Sequence, residues 1–476
     1  MKINKLLFIE PPRNFWFVMG EYQPPPTTLL ILAAYIEKHL PDLEIEILDC
    51  QAERMSWQGI EKYIEQSKPS IVLTSGFTCN AYTCARTVEI AKQVNPEIIT
   101  IVGGIHFTSV PEESLQHIPE IDYIVRGEGE QTIVELIKAL QKEDKISSIK
   151  GISFKHNNTI VHTENRPLIQ NLDILPYPAY HLVEDHIKDY HFSMMAGKHT
   201  QYMILEAGRG CEHKCSFCTQ WNHWNGVWRS KSIKRIADEI EHLYDTFGGI
   251  FLWLTDDHFN IKARGKKLYH ELKNRECKND IMLFLQARTD DVANNPLVIE
   301  QLRSIGTYWI MCGVESHSEK TLKEYRKKTH KKDAYTAMKI LRDNDIFSHA
   351  MFVIGNRTDT NESIEQLRYY SQDIDPDFAI YTALTPFPGT IYYNKAKEQG
   401  WIHDTNYAHY DMAHAIMPTE TLAKKQVQEE LWKCYQFFYG SYTKNIAGFF
   451  SKNKLKRTLY RHMAGQHVLK KFRRLI

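Results

Sequence analysis

No run of about 18 apolar residues occurs in the 476-residue chain, so no membrane-spanning helix is predicted. The opening MKINKLLFIEPPRN has only a short apolar run ended by Pro11-Pro12, too brief for the apolar part of a secretion signal. Cysteine is scarce and odd in number, nine in all. That excludes a dense disulfide framework and points to a reducing, cytoplasmic setting. Dominant disorder is excluded by 43% hydrophobic and 25% charged residues. Net charge is also small, +1, which is not the composition of a nucleic-acid-binding protein. Acidic residues are missing from the C-terminal stretch. Between Tyr442 and Ile476 there are ten Lys or Arg and no Asp or Glu, which with the +1 total leaves about −9 on the rest.

Length alone gives room for about three domains. The first 140 residues alternate apolar strands (Leu6–Glu10, Glu44–Leu48, Ile71–Gly76, Ile98–Gly104, Ile121–Glu130) with helical stretches (Thr28–Leu40, Ala81–Val94, Gln131–Leu140). That pattern implies an α/β, doubly wound parallel sheet whose ligands bind beyond the strand carboxyl ends. Residues 141–197 read as a hairpin turning at Asn157-Asn158, then a linker in which Pro176 and Pro178 forbid helix. A second alternation from 198 to 400 suggests a partial barrel of six strands. Residues 401–476 read as mainly helical with the basic tail.

The strongest chemical signal is GRGCEHKCSFC. Cys211, Cys215 and Cys218 form C-x3-C-x2-C in a loop after the strand YMILEA. Three thiolates so spaced can hold three irons of a cubane cluster and leave the fourth open. The alternative is a zinc site completed by His213 or His223, but no second cysteine pair stands elsewhere. Trp221, Trp224 and Trp228 crowd the same loop, as packing for a buried cluster or as a stacking wall for a ligand.

This cysteine motif after the first strand of a βα barrel resembles the radical S-adenosylmethionine (SAM) enzymes, with Phe217 as the aromatic residue before the third cysteine. The resemblance implies a [4Fe-4S] cluster on Cys211, Cys215 and Cys218, and SAM contacts at the strand ends that follow. These are Asp256 and Asp257 (TDD), Gln286 and Arg288 (QART), and Glu315 and Ser316 (GVES). The N-terminal half resembles the cobalamin-binding domains fused to one branch of that family. It implies corrin contacts in SGFT (Ser75, Thr78), GGIHFT (Gly103, Gly104, His106) and RGEGE (Glu128, Gly129). The Asp-x-His-x-x-Gly motif that supplies a lower histidine ligand elsewhere is absent, which leaves the lower axial position of cobalt open. YDMAHAIMPT resembles a block near the substrate side of such enzymes, making Tyr410 and His414 candidates for substrate contact or proton transfer.

The resemblance implies a cobalamin-dependent radical SAM C-methyltransferase. Methylcobalamin would deliver a methyl group to an unactivated sp3 carbon from which a 5′-deoxyadenosyl radical has taken hydrogen. It also implies a flavodoxin- or ferredoxin-type electron donor. YRHMAGQHVLKKFRRLI resembles archaeal, methanogen members, among them the enzyme that modifies a glutamine of methyl-coenzyme M reductase, so a protein or peptide substrate is expected. A lipid C-methylase fits too, since a basic tail suits peripheral contact with an anionic membrane. So do a non-methylating tetrapyrrole ring cyclase and a cobalamin-binding sensor with a structural cluster.

Overall fold

The computed structural model describes residues 3–13, 22–192, 201–248, 250–440, 448–450, 456–458 and 460–461. Most of the basic tail, including Lys470, Lys471, Arg473 and Arg474, lies outside the described residues.

The N-terminal sheet is built from β1 (Lys5–Glu10), β3 (Glu44–Asp49), β4 (Ile71–Ser75), β5 (Ile99–Gly103), β6 (Tyr123–Val125), β7 (Ile152–His156) and β8 (Thr159–His162), while β2 (Tyr22–Gln23) pairs apart. Strand order is β3-β1-β4-β5-β6-β7-β8. The first five are parallel, and β7 and β8 run antiparallel. Helices α1 (Thr27–His39), α2 (Trp57–Ser67), α3 (Ala81–Val94), α4 (Ile105–Ser109), α5 (Pro111–His117) and α6 (Gly129–Lys142) connect the strands. Leu6 and Phe8 are wholly buried on one side of β1, and Leu7 and Ile9 belong to a second cluster on the other. This two-sided burial is why the strands read as continuous apolar runs.

The hairpin turns at Asn157 (φ +48°) and Asn158 (φ +62°), the left-handed pair that a two-residue turn demands. The sequence groups this hairpin with the linker. The structure instead adds it to the N-terminal sheet, through pairing of β6 with β7.

The second sheet has the order β10-β13-β14-β15-β16-β17, all parallel. Its strands are β10 (Gln201–Leu205), β13 (Ile250–Leu254), β14 (Met282–Arg288), β15 (Thr307–Glu315), β16 (Phe347–Ile354) and β17 (Phe378–Ala383); β9 (His191–Phe192) pairs with β2, and β11 (Gly208–Arg209) with β12 (Arg229–Ser230). This is an open half-barrel. An open strand edge exposes unpaired backbone groups. Here the helix Lys424–Tyr439 covers β17: the Tyr435 hydroxyl bonds Tyr381 O at 2.6 Å and the Tyr439 hydroxyl bonds Ala379 O at 2.7 Å.

The linker is packed. Ala179 N–H donates to Leu30 O and the Tyr180 hydroxyl donates to Ile204 O. One apolar core runs from α1 and α6 through Leu172, Leu175 and Tyr180 to Tyr202 and Ile204, so both halves share a single interior. Among the described residues, no helix is long and apolar enough to cross a membrane.

Candidate cofactor site

Parallel strands place their following loops at one end of a sheet. The two sheets bring those ends to a common seam. Helix α4, after β5, packs against the short helix Gln220–His223 just past Cys218. The turn Thr78–Asn80, after β4, packs against Tyr407–His409.

The cysteine loop leaves β10 through a stem in which β11 pairs antiparallel with β12, Gly208 opposite Ser230 and Arg209 opposite Arg229. Gly210 (φ +84°) turns the backbone where a Cβ would lie 2.2 Å from Val227 O. Cys215 is buried, with Cys211 and Cys218 half-buried. Burial raises all three thiol pKa values, that of Cys218 to about 12, and Cys218 also feels the charges of Cys215 and Cys211. The three thiols are thus neighbours, although among the described residues no three His, Cys, Asp or Glu close up into a finished metal site. The tryptophans hold the loop. Trp221 Nε1 donates to Cys215 O at 2.8 Å, Trp224 lies against the guanidinium groups of Arg209 and Arg229, and Trp228 against that of Arg264.

On the barrel side, Asp256 is buried and ion-paired with Arg264 at 2.6 Å, while its Oδ2 has no hydrogen-bond partner among the described residues. Asp257 is half-buried beside the Gly210 N–H. Burial, and then the charge of Asp256, raise its pKa to about 7. Gln286 is half-buried at the end of β14. Glu315 occupies a left-handed conformation (φ +65°) at an irregularity in β15, and Ser316 Oγ accepts from Ser318 N–H.

On the N-terminal side, Ser75 ends β4 beside Gly103 at the end of β5. Gly104 (φ +92°) follows, where a Cβ would meet Gly76 O at 2.6 Å. Thr78 and His106 are buried just beyond. Burial lowers the His106 pKa to about 4, and its Nδ1 has no hydrogen-bond partner among the described residues.

Comparison with known proteins matches residues 19–137 to the B12 binding domain and residues 205–368 to the radical SAM superfamily. The protein is a B12-binding radical SAM enzyme. It is similar to an uncharacterized methyltransferase of Pyrococcus horikoshii, 27% identical over 92% of this chain and 93% of that one. It is also similar to the anaerobic magnesium-protoporphyrin IX monomethyl ester cyclase of Cereibacter sphaeroides, 28% identical over 83% of this chain and 64% of that protein. The fold matches the radical SAM methyltransferase TsrM of Kitasatospora setae, solved with cobalamin and a [4Fe-4S] cluster, at TM-score 0.74, 15% identity and 100% coverage of both chains.

A B12 binding domain joined to a radical SAM domain calls for cobalamin, SAM and a [4Fe-4S] cluster, and the residues present fit them. Three free thiols in one loop are the donor set of such a cluster. The unpartnered Oδ2 of Asp256 suits the amino group of SAM. The close backbone approach at Gly104, and the buried His106 Nδ1 and Asn80 Oδ1 that lack hydrogen-bond partners among the described residues, suit the polar groups of a corrin.

Several residues read as cofactor contacts have other duties. All the N–H groups of Arg288 that form hydrogen bonds go to Asp290 and to the carbonyls of Lys327 and Lys328. Glu128 is engaged by Arg209, Arg229 and the Ile169 N–H, and Gly129 begins α6 packed on Leu32. Phe217 packs edge-on against Tyr325. Tyr410, read as a substrate-side residue, is 1% exposed and its hydroxyl donates to Asp404 O at 3.1 Å.

His414 remains half-exposed, held through Nδ1 by Asp411 at 2.9 Å, a contact that raises its pKa. Its ring stacks at 4.8 Å on His409, which is held by Asp404. Lys327, which no motif marked, places its ammonium against Glu315 beside Cys215.

Proposed function

We propose that this enzyme is a C-methyltransferase acting on an unactivated sp3 carbon, with a protein side chain as substrate, specifically a glutamine of methyl-coenzyme M reductase. The observation that carries methyl transfer is the seam between α4 and Gln220–His223, since it sets the corrin-side loop directly against the cluster-side loop. When bound, the cluster with SAM supplies a carbon-centred radical and cobalamin supplies the methyl group.

The enzyme's own residues bind, orient and exclude water. Cys211, Cys215 and Cys218 hold iron. Asp256, fixed by Arg264, would receive the SAM amino group, and Glu315, fixed by Lys327, would hold the ribose. Phe77 (59% exposed), Tyr82 (50%) and Met412 (40%) offer apolar surface around the meeting of strand ends and C-terminal segment. Covered by bound cofactor or substrate, that surface would keep water from a reactive centre. His414, oriented by Asp411, contacts the substrate. A flavodoxin- or ferredoxin-type donor supplies electrons.

The protein substrate is supported by the acid-free, cation-rich tail, whose charges would speed encounter with an acidic partner. The test is anaerobic incubation with trideuteromethyl SAM and methyl-coenzyme M reductase made without its methylglutamine, followed by peptide mass analysis. Label on that glutamine is expected. Label on a lipid instead would select the lipid C-methylase. The similarity to ring cyclases makes unlabelled turnover of a tetrapyrrole the other contrary result.

A further inference from the structure

We infer that Glu128 of the B12-binding domain locks the stem of the cluster loop, so that cluster retention depends on a positioning residue in the other domain. The inference rests on the cysteine-loop assignment but not on methyl transfer.

The stem is the two-residue ribbon that closes the cysteine loop, with Arg209 facing Arg229 across it. Two adjacent guanidinium groups repel each other. Glu128 answers both: its Oε1 accepts from Arg209 Nη1 at 2.7 Å and from Arg229 Nη1 at 2.8 Å. Its Oε2 accepts from Ile169 N–H at 2.6 Å. Side-chain exposure is 2% for Glu128 and 5% for each arginine, so water cannot substitute. Arg209 has further carboxylate partners, Glu130 at 2.5 Å and Glu206 at 2.7 Å. Arg229 has none among the described residues: its other side-chain hydrogen bond goes to Ile169 O, and its Nε and Nη2 lack hydrogen-bond partners there.

Removal of the Glu128 charge therefore falls on Arg229, leaving a buried uncompensated cation in the returning arm of the loop, opposite the residue two before Cys211. The arm must open or take in water, and Trp224, which lies against both guanidinium groups, loses its support. Opening the stem removes the constraint that keeps the three thiols in one place. Partners that orient metal ligands typically change metal affinity about 10–100-fold when removed.

The experiment uses the full-length protein, anaerobically reconstituted with iron, sulfide and cobalamin, as wild type, Glu128→Gln, Arg229→Met and the double variant. Iron release to a chelator is followed by absorbance, and cobalamin retention by gel filtration. Glu128→Gln is expected to release iron about tenfold faster or more, with cobalamin retained. Arg229→Met breaks the same ion pair but leaves no lone cation, so it is expected to release iron faster than wild type yet no faster than Glu128→Gln, and the double variant to match Arg229→Met, since no uncompensated charge then remains in the returning arm.

Cobalamin loss with normal iron kinetics would make Glu128 a corrin contact and overturn the inference, as would wild-type behaviour in both assays. If Glu128→Gln does not fold by circular dichroism, Arg229→Met decides: faster iron loss from a folded protein supports the lock, and unchanged release overturns it. Cys215→Ala is the separate check on the loop, and iron retained there would contradict the cluster assignment itself.

Discussion

Lys327 Nζ lies 2.6 Å from Glu315 Oε1, with side-chain exposures of 10% and 9%. Burial opposes the lysine charge, but Glu315 and Cys215 outweigh it and raise its pKa. Glu315 itself stands in a left-handed conformation at the end of β15 (φ +65°), a position an L side chain occupies only under constraint.

Breaking this pair leaves a buried carboxylate alone. Lys327→Met is expected to lower unfolding stability by about 3–5 kcal/mol, read as the urea midpoint. Adding Glu315→Gln should recover much of that loss. A single variant as stable as wild type would show that the pair is not held as described.

Gly104→Ala tests the corrin side alone. The new Cβ would stand 2.6 Å from Gly76 O and 2.8 Å from Gly76 N, at a backbone angle L residues avoid. A cost of about 1–3 kcal/mol is expected, together with weaker cobalamin retention and unchanged iron content. Cobalamin binding equal to wild type would mean the loop after β5 does not approach the corrin.

The broad architecture is legible in the sequence because buried parallel strands must be apolar throughout, so IVLTS and ITIVG announce themselves. The Asn157-Asn158 turn is legible because two left-handed residues are needed there. The cysteine loop is legible because its ligands are local. The roles of Glu128 and Lys327 are not. Glu128 meets its arginines 81 and 101 residues away, and Lys327 lies 12 residues beyond Glu315, in a loop past the next helix. Nothing local marks a charge whose partner is brought by folding. GGIHFT reads as a loop on its glycines, but the backbone enters helix α4 at Ile105. Tyr410 stands out for its hydroxyl, which a backbone carbonyl occupies.

A pH effect follows from His349, wholly buried in the barrel, with Trp309 Nε1 donating to its Nδ1 at 3.3 Å. Burial lowers its pKa from the ordinary 6.5 to about 3. Above pH 6.5 both folded and unfolded forms are neutral and the stability is fully present. As pH falls from 6.5 towards 3 only the unfolded form takes up the proton, so stability is lost at roughly 1.4 kcal/mol per pH unit. Denaturant titrations between pH 7 and 5 should show a shallower slope for His349→Gln than for wild type. Equal slopes would mean that His349 is charged in the folded protein or that the fold opens before it titrates.

The central claim is that cluster and cobalamin serve one reaction in one seam. The most direct measurement follows 5′-deoxyadenosine and trideuteromethyl transfer from labelled SAM under reducing, anaerobic conditions, with and without cobalamin and in Cys215→Ala. Both products are expected only when the cluster and cobalamin are present together, and neither in Cys215→Ala, while Cys277→Ala and Cys434→Ala behave as wild type. Label transfer that persists without cobalamin, or from Cys215→Ala, would contradict the account.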